Sequence, residues 1–118
     1  MITIEIKRNP TSIEEVIVSG HAKAARHGED IVCSAVSAIT FGTLNSVHVL
    51  LGIMPDVKQA DQSGGYLSWR LATDTDKAIG EKQQLLAESM AISLIAIAEN
   101  YGRYVTVSDT KWQGGATQ

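Results

Sequence analysis

The chain opens on an alternation of apolar and polar residues with a period of two. Ile2, Ile4 and Ile6 lie between polar neighbours, which predicts a β-strand buried on one face. The turn-forming run at 9–12 follows, and a second apolar run extends from Glu15 to Ser19. Because the connection is short and contains Asn, Pro and Ser, the two strands are expected to form a hairpin.

The pattern then changes to a helical spacing from Asp30 to about Leu51. The apolar positions at this spacing are Val32, Val36, Ile39, Phe41, Leu44, Val47 and Leu51. Gly52 suits the position after a helix, and Pro55 prevents an extension. Asp30 is a residue type preferred at an N-cap. If Asp30 caps the helix, Cys33 lies in its first turn.

The second half of the chain predicts two further strands, a second helix and a last strand. The strands cover 57–59 and 66–71, with a turn at 62–65 and a polar loop at 73–80. The helix runs from Glu81 to about Tyr101, closed by Gly102, and 104–107 is a strand. The order ββαββαβ is not a βαβ series. It favours a single α+β domain over 1–118, with a mixed, mostly antiparallel sheet covered by two helices.

Charge and cysteine content narrow the class of protein. The 118 residues carry a net charge of −3, which argues against nucleic-acid binding through phosphate contacts. A single cysteine cannot form an internal disulfide. We find no signal-peptide pattern and no apolar run typical of a membrane span. The expected location is the cytoplasm.

Cys33 is the candidate nucleophile. A thiol at a helix N-terminus is favoured as thiolate, and His21, at the end of the second strand, could serve as its base. His27 is a rival base within the intervening loop. Ser37 follows Cys33 by one helical turn and therefore faces the same side. Asp30 could cap the helix or orient His21.

One alternative to a nucleophile stays open from the residues alone. A lone cysteine is often a small buried apolar residue without chemical function. A metal site is not predicted, because one Cys and three scattered His lack the short paired spacings of zinc ligands. No cofactor motif is present: the paired glycines at 64–65 and 114–115 lack the lysine and helix of a phosphate loop.

Two motifs resemble those of a known family. They are Gly20-His21-Ala22 and Gly28-Glu29-Asp30-Ile31-Val32-Cys33-Ser34-Ala35-Val36-Ser37-Ala38. They are similar to the GHA and G-x-D-[IL]-V-C-A-A-[VI]-S elements of the ribosomal-processing cysteine protease family Prp, also called YsxB-like. Ser34 replaces the commoner Ala, and Gly102 stands where the family often has Pro.

The resemblance implies a cytoplasmic cysteine endopeptidase that removes the N-terminal extension of a large-subunit ribosomal protein. It implies Cys33 as nucleophile and His21 as general base and acid, with Asp30 and Ser37 in supporting roles. The resemblance also implies a homodimer. It further implies that the loop between His21 and Cys33 closes over the bound peptide. The alternatives are a ribosomal-protein-binding or assembly module with an inert cysteine, and a hydrolase of small amides.

Overall fold

The computed structural model of the protein describes residues 1–20, 27–60 and 65–112, and for 27–30 the backbone alone. Its elements are β1 (Ile2–Arg8), β2 (Ile13–Ser19), α1 (His27–Leu51), β3 (Asp56–Gln59), β4 (Tyr66–Arg70), α2 (Lys77–Asn100) and β5 (Val105–Ser108). This order confirms the ββαββαβ prediction. The predicted turn at 62–65 lies outside the described residues except for Gly65.

The five strands form one mixed sheet in the order β3-β4-β2-β1-β5. β1 pairs with β2 as the predicted antiparallel hairpin, with Ile4 opposite Val18, and only the β1–β5 pair is parallel. The isoleucines of β1 all point to one face, since alternate residues of a strand share a face. Both helices cover that face, and the opposite face carries polar side chains such as Thr3 and Glu5.

The core lies between the sheet and the helices. α1 contributes Val32, Val36, Leu44 and Val47, and α2 contributes Ala87, Met90, Ala91, Leu94 and Ile95. Trp69 of β4 is completely buried among them. The predicted apolar stripes were therefore right at most positions. Phe41 is the exception in α1, exposed by 47%, and Tyr101, where the second helix was predicted to end, is exposed by 49%.

α2 begins at Lys77, one turn before the predicted Glu81. Asp76 is its N-cap, and its carboxylate accepts a hydrogen bond of 2.8 Å from the backbone N–H of Ile79. The prediction of a polar loop over 73–80 is therefore wrong from Lys77 onward, and the first turn of α2 ends at Gly80. The cap compensates for that glycine by satisfying a backbone donor of the first turn.

Two adjacent glutamines attach α2 to the sheet. Gln83 is buried and its side-chain amide both donates to and accepts from the backbone of Ala72, at 3.0 Å each. Gln84 does the same with Ile13, at 2.8 and 2.9 Å. The two side chains thereby satisfy backbone groups at the start of β2 and just after the end of β4.

α1 has a property that was not expected from the sequence. Within the described part of the chain, the segment Ile31–Leu51 of this helix is long enough and apolar enough to cross a membrane, judged by length and composition only. In the structure its Val32, Val36 and Val47 are buried in the core. Length and composition do not separate a core helix from a membrane span, and here α1 packs on a sheet.

Candidate active site

The start of α1 corrects the predicted position of Cys33. The helix begins at His27, so Asp30 is inside its first turn and is not the N-cap, and Cys33 lies in the second turn. Acidic residue types such as Glu29 and Asp30 favour a first helical turn because of the helix dipole. The backbone N–H of Cys33 is then within the helix, so it is not among the free donors that could bind an oxyanion.

Cys33 lies on a cleft between α1 and one end of the sheet. Its side chain is partly buried, and the cleft has a volume of about 160 Å³. Helix α1 lines one wall with Cys33, Val36, Ser37, Thr40 and Phe41, and the sheet side supplies Ile2, Val18, Gly20, Gln59, Ala60, Gly65, Tyr66 and Leu67. The expectation that Ser37 shares the side of Cys33 is confirmed.

Gly20 forms the end of the cleft where β2 stops. Its φ is +88°, a left-handed conformation that residues with a Cβ rarely adopt. A Cβ at this position would also overlap the backbone carbonyl oxygen of Met1. Its N–H donates to the carbonyl of Gly65 at 2.7 Å. Glycine is therefore required here both by conformation and by space.

His21 lies outside the described residues, as do residues 22–26 of the loop that was expected to close over a peptide. The prediction of a loop is wrong for 27–30, including His27, because these residues form the first turn of α1. His21 is covalently joined to Gly20, which lines the same cleft as Cys33. The side chains of His27 and Asp30 also belong to the undescribed part of the structure. His48 is exposed near the other end of α1, with its Nδ1 3.1 Å from the carbonyl oxygen of Ile53, and it does not line the cleft.

Sequence reasoning missed the rest of the cleft wall. Phe41 was assigned to the core, yet with Cys33 and Ser37 it forms a row spaced by one helical turn, a signal that the sequence does contain. The contributions of Ala60, Gly65 and Tyr66 required the sheet topology. Thr40 beneath the cleft is buried, and its hydroxyl has no hydrogen-bond partner among the described residues.

The fold and the cleft define an α+β protein with an accessible thiol beside a groove. A profile of the family described as "Cysteine protease Prp" matches residues 1–106. The ribosomal processing cysteine protease Prp of Bacillus subtilis is 37% identical over 102 residues, which cover 86% of this chain and 90% of that protein.

Solved structures give the same result. The ribosomal processing protease Prp of Staphylococcus aureus in complex with a substrate peptide has a TM-score of 0.78 and 30% identity, covering 93% of this chain and 100% of that one. The same enzyme with a covalently linked product peptide has a TM-score of 0.74 and 31% identity, with the same coverage. The chain belongs to the Prp family of cysteine proteases. It is an enzyme that hydrolyses peptide bonds, and the alternative of an inert binding module is not supported.

Proposed function

We propose that this protease removes the N-terminal extension of a large-subunit ribosomal protein, with Cys33 as nucleophile and His21 as general base and acid. The observation that carries the proposal is the cleft itself. It contains the only cysteine of the chain and ends at Gly20, the residue that precedes His21. The relatives named for ribosomal processing support the substrate.

The position of Cys33 decides what must activate it. The influence of a helix dipole falls off within the first turn, and Cys33 lies in the second turn of α1. The dipole alone is therefore a weak source of thiolate, and the imidazole of His21 has to remove the proton. Asp30 orients that imidazole in this proposal, and Ser37 contacts the peptide in the cleft.

The reaction then follows the acyl-enzyme scheme. The sulfur of Cys33 bonds to the scissile carbonyl carbon, and the C–N bond breaks as His21 gives its proton to the leaving amine. His21 next takes a proton from water, and the resulting hydroxide attacks the thioester. The C–S bond breaks, the acid product leaves, and His21 returns its proton to the sulfur of Cys33.

The direct test is cleavage of the ribosomal protein carrying its extension, read by mass spectrometry. Cys33→Ala and His21→Ala should abolish the cleaved product. Ser34→Ala is the matched control, because Ser34 is exposed beside Cys33 but does not line the cleft, and it should retain activity. Normal cleavage by Cys33→Ala would refute the proposal.

We further propose that the enzyme acts in the cytoplasm as a homodimer. The support for a dimer is the outer surface of the helices, where Leu85 and Ile92 of α2 are exposed by 70% and 48%. They are spaced by two helical turns and therefore share a face. Exposed large apolar side chains grouped in this way are typical of protein interfaces.

A further inference from the structure

β3 is the edge strand of the sheet nearest the cleft. It has β4 on one side, and among the described residues no strand pairs with its other side. Its residues Asp56, Lys58 and Gln59 are exposed. An edge of this kind presents unpaired backbone N–H and C=O groups, which is a template for another extended chain.

The alternation of hydrogen bonds between β3 and β4 identifies which backbone groups of β3 do not bond to β4. Ala60 donates its N–H to the carbonyl of Tyr66, opposite it in the β3–β4 register, at 3.2 Å. In an antiparallel ladder the bonded pairs alternate with non-bonded pairs. Lys58 and Asp56 therefore point their backbone groups towards β4, and Val57 and Gln59 point theirs away from the sheet.

The free edge continues into the cleft. Gln59 and Ala60, at the end of β3, line the same cleft as Cys33. A chain paired with β3 would therefore pass from the strand edge directly to the thiol. Side chains in such a complex contact the enzyme at alternate positions, whereas the main-chain bonds are independent of sequence.

We propose that the substrate peptide binds as an added β-strand on the free edge of β3, through the backbone N–H and C=O groups of Val57 and Gln59. This inference rests on the proposed function, because the occupant is the peptide that Cys33 cleaves. The two residues bond the peptide at positions about 7 Å apart, the repeat of alternate residues in a strand. The peptide is thereby held extended while its scissile bond lies at Cys33.

The test substitutes proline into β3 of the enzyme. Proline removes one backbone N–H, and an edge strand accommodates it where that N–H would face solvent. Gln59→Pro should lower kcat/KM for a peptide spanning the cleavage site by about fivefold, the effect of one lost hydrogen bond. Its thermal midpoint should stay near that of the wild type. Gln59→Ala keeps the N–H, so kcat/KM should fall less in this variant than in Gln59→Pro. Lys58→Pro removes a ladder bond to β4 and should lower the midpoint.

A second measurement changes the peptide instead of the strand edge. Peptides methylated on one backbone nitrogen at a time should lose affinity at alternate positions, measured by calorimetry with Cys33→Ala. Equal effects at all positions, or full activity of Gln59→Pro with unchanged folding, would overturn the added strand. Wild-type enzyme that cleaves no such peptide would instead refute the proposed function, so the two failures are distinct.

Discussion

At Gly20 one residue controls both the end of β2 and the approach of the chain to Cys33. The positive φ and the contact with the Met1 carbonyl exclude a side chain. We expect Gly20→Ala to reduce the free energy of unfolding by about 1–3 kcal/mol, since the new residue would be strained and the Met1 backbone would have to move. Urea denaturation at pH 7 measures this change.

The same substitution should lower proteolytic activity well below the melting temperature, because His21 follows Gly20 directly. Gly42→Ala is the matched control. Gly42 is exposed within α1, and a Cβ there would meet no atom within 4 Å, so Ala should raise stability by up to about 1 kcal/mol. Equal stability of Gly20→Ala and wild type would contradict the argument.

Only part of the structural setting of Cys33 could be predicted from the sequence. Its helix and the shared face with Ser37 were predictable from spacing, whereas the cleft required the structure. The place of Cys33 within the helix was not predictable, because Asp30 is as acceptable inside a first turn as at an N-cap. In the proposed mechanism, this difference of one turn means that His21, and not the helix dipole, has to activate the thiol.

At the scale of elements, an ion-pair cluster ties β1, α2 and the segment after β5 together. The guanidinium of Arg8, with 2% of its side chain exposed, donates to both oxygens of Glu88 and both oxygens of Asp109, at 2.7–3.0 Å. Trp112 donates its indole N–H to Glu88 at 2.7 Å. The hydrogen bonds from Arg8 are the main reason that the pKa of Glu88 is lowered.

This lowered pKa predicts a dependence of stability on pH. The folded pKa of Glu88 lies below the unfolded value of about 4.3, so its contribution is complete above that value and is lost as pH falls through the folded pKa. Glu88→Gln should reduce the free energy of unfolding at pH 7 by about 1–3 kcal/mol. It should also weaken the loss of stability that begins as the pH falls through about 4.3, the unfolded value.

Denaturation series across that pH range, for wild type and variant, give the measurement. Glu99→Gln is the control, since Glu99 is an exposed glutamate on the same helix, and it should change stability by less than about 0.5 kcal/mol. If the curves of wild type and Glu88→Gln remain parallel down to acid pH, Glu88 does not carry this dependence.

The elements themselves were largely predictable, because their apolar periods are strong. The alternation of Ile2, Ile4 and Ile6 gave β1, and the hairpin followed from its turn residues. The predicted start of α2 was wrong because Gly80 and the polar residues before it are typical of a loop. The strand order and the Arg8 cluster could not be predicted, since they join residues far apart in sequence and depend on tertiary packing.

At the scale of the whole molecule, both helices lie on one face of the sheet, so their outer surface has no covering layer among the described residues. The groove between α1 and α2 is lined largely by small residues, including Ala38, Gly42, Ser89 and Ser93. Small residues allow close approach of a second helix. With Leu85 and Ile92 beside this groove, a second copy of the chain is the occupant that the proposed homodimer requires.

Ile92→Glu should convert the homodimer into a monomer, because a charge at the centre of an apolar interface would be buried without a partner. Sedimentation velocity at micromolar concentrations distinguishes the two species. Thr106→Glu is the control, since Thr106 is exposed on the polar face of the sheet, and it should remain dimeric. A wild-type protein that sediments as a monomer would refute the dimer. If the Ile92→Glu variant still sediments as a dimer, the interface does not include Ile92. Cleavage assays on the monomeric variant then establish whether the cleft beside Cys33 works within one chain.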